Sequence, residues 1–298
     1  IAAFGIGNMF QANAVVETLK EWIKPTAEAD AVMRWVTGGV MAAITAAVIL
    51  GGVKSIARVC EVLVPVMAVG YLLGCILILI KNAPLLPSAF SDIWHGAFAG
   101  QAAVGGFVGA GIRQAIQSGI ARGLFSNESG LGSAPIVAAA AQTRNPVRQA
   151  LVSSTATFWD TVVVCAITGL VIVSSGHWKE GVAKGALTNA AFEDLHTIGP
   201  IFLLFGLITF VFSSILGWCY YGEKAAEYLM GPKAVKPYRV LWVIMVLVGA
   251  VQPAAAVMDF SDAANGLMAL PNLICLICLS GVIAAETRTH TAELTGKD

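Results

Sequence analysis

Charge is scarce in this sequence. Only 12% of its 298 residues are Asp, Glu, Lys or Arg and 57% are hydrophobic, whereas an ordinary soluble domain is about one quarter charged and about half apolar. That shortage excludes a chain whose whole surface meets water and points to lipid as the solvent. Neither sign is in excess: 18 basic residues balance 18 acidic ones, so the charge balance offers nothing to nucleic acid or to an acidic partner. Histidine is scarcer still. The four present (His95, His177, His196 and His290) lie in loops or at the edges of apolar segments. A serine at membrane depth therefore has no base beside it, and an intramembrane hydrolase is not expected. The six cysteines (Cys60, Cys75, Cys165, Cys219, Cys275 and Cys278) fall in or at the ends of apolar segments, where a thiol behaves as a small hydrophobe. Cys275 and Cys278 form a C-x-x-C with no histidine nearby, so neither disulfides nor a metal site are expected. The opening stretch does not read as a signal peptide: IAAFGIGNMF begins at Ile1 as if already inside a helix, with no basic stretch before a small-residue cleavage site. The reading is of a chain truncated at its N-terminus.

Long apolar runs are abundant. WVTGGVMAAITAAVILGGV from Trp35, VLVPVMAVGYLLGCILILI from Val62, VLWVIMVLVGAV from Val240 and LMALPNLICLICLSGVIAA from Leu267 approach or reach the roughly 20 residues that cross a hydrocarbon core as helix. Hydropathy and turn punctuation predict an all-α, polytopic membrane bundle of about eight spans, near 1–22, 33–52, 61–80, 95–121, 151–175, 200–222, 240–257 and 265–285. Alternating sides places 12 of the 18 basic residues, among them Lys54, Arg58, Arg144, Arg148, Lys233, Lys236 and Arg239, on one face. By the positive-inside rule that face is cytoplasmic, as is the C-terminal tail.

The fourth predicted span is irregular. Its centre, Gly105-Gly106-Phe107-Val108-Gly109, makes a poor continuous helix, because each glycine costs about 1 kcal/mol relative to alanine. Such a stretch either unwinds to offer carbonyls and helix ends to a ligand or lets neighbouring helices pack closely; spacing alone does not choose. Broken-helix transporters often contain inverted repeats, and if the fold is of that type a second interrupted span is expected upstream of Ile1.

Polar residues inside apolar segments mark an interior or a pathway. The first span carries Asn8, Gln11 and Asn13, with Asn8 and Gln11 three residues apart on one face. The sixth carries Ser213, Ser214 and Trp218. Hydroxyl oxygens suit a hard cation such as sodium, and a tryptophan one turn on can wall a small pocket. The structural alternatives are an interhelical bond for Asn8 and Gln11 and, for the serines, a bond back to their own helix or across to a neighbour. Asp160, about ten residues into the fifth span, reads as a cation or proton ligand or as one partner of a structural bridge.

The most polar island is ARGLFSNESGLGSAP at 121–135, which topology places on the cytoplasmic side. Together with the residues after it, GLFSNESGLGSAPIVAAAAQT at 123–143 closely resembles the signature of the alanine or glycine:cation symporter family. FGIGNMFQAN at 4–13, GGVKSIARVCEVLVP at 51–65, NPVRQALV at 145–152, FSSILGWCYYGEKAAEYLMG at 212–231 and NGLMALPNLI at 265–274 resemble further blocks of that family, in family order. Ser129 departs from the usual alanine, and Val137-Ala138 from the usual histidine-alanine.

The resemblance implies a LeuT-type inverted-repeat core in which this chain supplies helices three to ten. It implies one transporter domain over 1–298, with an incomplete first repeat within 1–82, a second over 88–285 and a cytoplasmic tail from 286. It implies sodium-coupled symport of a small neutral amino acid, alanine or glycine, across a bacterial inner membrane, with sodium as coupling ion and no other cofactor. Ser213 and Ser214 would hold sodium. Gly105, Gly106, Phe107, Trp218, Asn8 and Gln11 would line the substrate. Arg122, Asn127 and Glu128 would belong to a gate or signature loop. A proton-coupled carrier and a channel are the alternatives.

Overall fold

The computed structural model describes residues 1–96, 113, 116–117, 119–120, 123, 125–180, 187–196 and 198–295. The chain opens with a helical start (Ala2–Phe4), a π-helical turn (Gly5–Met9) and α1 (Phe10–Ile23). There follow α2 (Ala27–Ile49), α3 (Val53–Lys81) and α4 (Leu86–Trp94). After the signature loop come α5 (Pro146–Thr157), a second π-helical stretch (Phe158–Cys165) and α6 (Ala166–Ser175). The rest is α7 (Ile198–Met230), α8 (Val235–Val251), α9 (Ala254–Cys278) and α10 (Ser280–Thr295). Among the described residues, six helical runs are long and apolar enough to cross a membrane: 27–49, 53–81, 146–175, 198–230, 232–251 and 254–278. Their outward side chains are apolar, for example Val62 at 65% and Ile277 at 74% exposure, as a lipid-facing surface requires.

Boundaries follow local chemistry. Lys24 closes α1 in the left-handed conformation ahead of Pro25. Thr26 caps α2, its Oγ accepting from Ala29 N at 3.4 Å, and Glu28 and Asp30 complement the dipole in the first turn. The expected break between the last two spans is corrected. Residues 258–264, left between the spans expected at 240–257 and 265–285, lie inside α9. The chain turns instead at Gln252, held extended (φ −72°, ψ 153°) by the proline that follows it. The sixth span also runs longer than expected, to Met230, which carries Glu223 into the helix. The centre of the irregular fourth span, with Gly105, Gly106 and Phe107, and also Arg122, lies outside the described residues.

The chain divides into two compact units. The first holds Ile1–Gly74 and Lys184–Leu267. Within it α2 lies along α8, and Gly38 allows the approach: a Cβ there would stand 2.7 Å from the Ala250 methyl. The first helical run sits against α7 and α8 and is tied to α8 by side-chain amides. Asn8 Nδ2 donates to Trp242 O at 2.9 Å, and Asn13 Nδ2 to Gly249 O at 3.0 Å and Gln252 O at 2.8 Å. Each satisfies a carbonyl that lipid could not. Arg34 bridges Glu17 (2.7 Å) and Asp30 (3.0 Å), joining α1 to α2. Tyr71 of α3 stacks on Phe192 (5.9 Å between centroids) and meets Phe210 edge-on (5.6 Å).

The second unit holds Cys75–Ala183 and Met268–Asp298. Asn145 caps α5, with Pro146 at its first position, and its Oδ1 accepts from Arg148 N at 3.0 Å. Its amide also donates to His290 O of α10 at 3.0 Å. The signature loop rests on α9: Asn272 Nδ2 donates to Gly130 O at 2.9 Å. Gly132 adopts φ +84°, and any Cβ there would lie 2.9 Å from Asn272 Oδ1, so geometry and space both demand glycine.

Candidate functional site

Five of the sequence-read site residues share the first unit: Asn8, Gln11, Ser213, Ser214 and Trp218. A π-turn leaves the ordinary backbone ladder out of register and is common where a helix serves a ligand. Here it spans Gly5–Met9, all buried, and brings Gly7 against Trp218. The indole is 6% exposed, lies over Gly7 and meets the Tyr221 ring edge-on at 5.3 Å. Ser214 lies one turn before Trp218 on the same face of α7 and is half-buried.

Two expected ligands are already engaged locally. Ser213 Oγ donates back to Phe210 O at 2.9 Å and stands 3.5 Å from Met67 Sδ. Gln11 Nε2 reaches Ile6 O at 3.4 Å. Asn8, fully buried, donates from Nδ2 to Trp242 O, yet its Oδ1 has no hydrogen-bond partner among the described residues. Trp242 Nε1 and Ser261 Oγ are likewise buried and unpartnered, and Ser261 Cα would lie 3.4 Å from a Cβ on Gly5. Most buried polar groups are paired, so this concentration of unpaired atoms around one π-turn is unusual.

In the second unit the signature loop meets the second π-stretch. Ser126 Oγ lies 3.0 and 2.8 Å from the two Asp160 oxygens, able to donate to either, and 3.4 Å from Cys165 Sγ. Thr161 Oγ1 lies 3.1 Å from Asp160 Oδ2 and accepts from Asn127 Nδ2 at 3.0 Å. Asn127 Oδ1 also accepts from Ser129 N at 3.0 Å, closing the turn. Asp160 therefore serves as a bridge to the loop. The contact of Ser126 with Asp160 was not read from the sequence; the polarity of SNES was visible, but its partner lies 34 residues on.

Glu128 takes φ +57°, in the left-handed region, and accepts from Ser133 Oγ at 2.6 Å. Burial pushes its carboxyl up from the ordinary range. The Ser133 bond opposes that rise, and the charge of Asp160 adds to it. With the folded pKa raised, the folded state holds the proton more tightly than the unfolded chain. Stability from this group is then complete below the unfolded pKa and declines as pH rises through the folded one. Glu128→Gln should raise the thermal midpoint at pH 7 and lose that advantage at pH 4. Equal gains at both pH values would contradict this.

Comparison with known proteins adds an independent finding. The sequence model of the sodium:alanine symporter family matches residues 1–298. The chain is 46% identical over 297 residues to an uncharacterised transporter of Haemophilus influenzae, covering 99% of this chain and 64% of that one. It is 46% identical over 291 residues to the sodium/alanine symporter AgcS of Methanococcus maripaludis, covering 96% and 62%. It is 34% identical over 269 residues to a probable sodium/glutamine symporter, GlnT, of Bacillus subtilis, covering 89% and 55%. The chain thus spans less than two thirds of the length of these relatives.

Proposed function

The chain belongs to the sodium:alanine symporter family, and from that premise we propose that its protein carries out sodium-coupled uptake of a small neutral amino acid, alanine or glycine. The observation that carries the reading is the grouping on α7: adjacent hydroxyls at Ser213 and Ser214, Trp218 one turn on, and the π-turn against that indole. Relatives named for alanine and for glutamine support an amino acid as the substrate class.

In this reading Ser214 and Ser213 donate oxygen ligands to sodium, Ser213 by turning from Phe210 O. Asn8 Oδ1, buried without a partner, accepts from the substrate ammonium, and Gln11 lies one turn further along the same helix. Gly105, Gly106 and Phe107 are assigned to the substrate by the family resemblance alone. Sodium favours the outward-open state, and rocking of one helix group against another opens the site inward. Such a change is driven only by binding the two states unequally. Asn127 and Glu128 hold the signature loop on the cytoplasmic side, the resemblance assigns Arg122 to the same sequence block, and the C-terminus faces the cytoplasm of a bacterium.

The test is uptake of labelled alanine into proteoliposomes with and without an inward sodium gradient. Gradient-stimulated, saturable uptake is expected; uptake indifferent to sodium overturns the coupling, and unsaturable flux would indicate a channel. Ser214→Ala removes one charge-directed oxygen, so the sodium concentration for half-maximal uptake should rise about tenfold or more. An unchanged sodium dependence would remove Ser214 from the site.

A further inference from the structure

We propose that Gly7 is a specificity-determining position: the widened turn at Gly5–Met9 seats the Trp218 indole, and the absence of a side chain at Gly7 sets how deep that indole lies, and so the size of the amino acid accepted. The inference rests on the reading of Trp218 as a pocket wall and adds what positions it.

Three observations meet at Gly7. A Cβ built there would fall inside the van der Waals contact of Trp218 Cβ and Cγ, and 2.6 Å from Cδ2. The indole's root and first ring atoms, not its flexible far edge, rest on the glycine. Nor can the turn retreat easily, because α8 holds it from another side. A Cβ on Gly249 would lie 2.7 Å from Met9 O, so the two backbones touch. Asn8, next to Gly7, is anchored to Trp242 O at 2.9 Å, and Phe4 packs its ring on Tyr238 and Trp242, both at 5.3 Å. The indole is held on another edge by Tyr221. With the turn pinned, a methyl at Gly7 must be accommodated by Trp218, through separation of α7 or rotation of the ring off its seat. Alanine is the better helix former, so helix propensity predicts no loss from this change. Any effect comes from the contact.

A displaced ring narrows the pocket, and the group that suffers first is the substrate methyl. Gly7→Ala, in the protein reconstituted in proteoliposomes, should lower the ratio of kcat/KM for alanine over glycine by about tenfold, the scale on which a pocket discriminates one carbon. Equal loss for both substrates would mark Gly7 as structural only and overturn the inference. Trp218→Phe separates this from the underlying reading. It keeps Cβ and Cγ on Gly7 but removes the second ring, and should improve uptake of a neutral amino acid one carbon longer than alanine. If Trp218→Phe leaves selectivity unchanged, the pocket-wall reading fails. If it changes selectivity while Gly7→Ala does not, only the role of Gly7 fails. Should Gly7→Ala not yield folded protein, adding Trp218→Gly removes the Cβ that the new methyl meets and should restore a monodisperse species; failure to do so overturns the contact as the cause.

Discussion

Arg239→Ala should destabilise the protein by about 3 to 5 kcal/mol, the scale for removing one partner of a buried ion pair. Its guanidinium forks onto Glu223, Nε to Oε2 at 2.7 Å and Nη2 to Oε1 at 2.9 Å, and the carboxylate side chain is only 4% exposed. The loss reflects the carboxylate left behind, uncompensated in an apolar bundle, more than the attraction removed. Three variants check this through thermal midpoints in detergent. Arg239→Lys keeps the charge without the two-pronged geometry and should fall between wild type and alanine. The double change Glu223→Ala with Arg239→Ala, in which neither charge remains, should recover much of the single loss. A shift in Arg239→Ala equivalent to less than about 1 kcal/mol would mean that Glu223 is satisfied by something else. The pair matters beyond stability because it ties α8 to α7, the helix that carries Ser213, Ser214 and Trp218.

Asn13→Ala should be the next most damaging change. Its amide satisfies two carbonyls at the end of α8, Gly249 O and Gln252 O, which have few other donors where a helix stops at a proline. A buried carbonyl left unpaired costs about 1 to 3 kcal/mol; Gly249 O is buried and Gln252 O partly so, and the thermal midpoint should drop by several degrees. Asn13→Asp is nearly isosteric but lacks the amide hydrogens and should fare no better than alanine. If aspartate retained wild-type stability, the contribution would lie in packing and not in hydrogen bonding.

Both residues illustrate what a sequence displays and what it hides. Asn13 was conspicuous, an amide in an apolar run, and so were Asn8 and the serines of α7, because polar atoms stand out wherever lipid sets the rule. Their partners were not legible. The carbonyls of Trp242, Gly249 and Gln252 belong to backbone, which every residue carries alike, and they lie more than 230 positions away. Glu223 lies one residue past the span expected at 200–222, where apolar residues thin out, but the helix continues to Met230 and Arg239 returns to neutralise the carboxylate. Spans expected at 240–257 and 265–285 left residues 258–264 between them, yet these lie inside α9, where Ser261 is buried within the bundle.

The signature loop was read as identification and not as chemistry, and its geometry adds to that. Gly130 and Gly132 meet Asn272, and Ser126 meets Asp160, so part of its polarity is spent on holding the loop to its own unit. Neither π-turn was foreseeable. A single added residue in a helical turn leaves hydropathy and composition untouched, and its position follows from what packs on either side.

The sequence by itself determined that this chain is a helical membrane protein, where most of its spans run and which family it belongs to. Those properties follow from hydropathy summed over some twenty residues and from blocks of residues in a distinctive order, both additive along the chain. Only the tertiary structure decided which carbonyl each buried amide serves, where the helices widen, and that Trp218 rests on a glycine at position 7. Those are contacts between segments far apart in sequence, selected by close packing and by the need to pair polar groups out of water, and neither constraint can be evaluated one segment at a time.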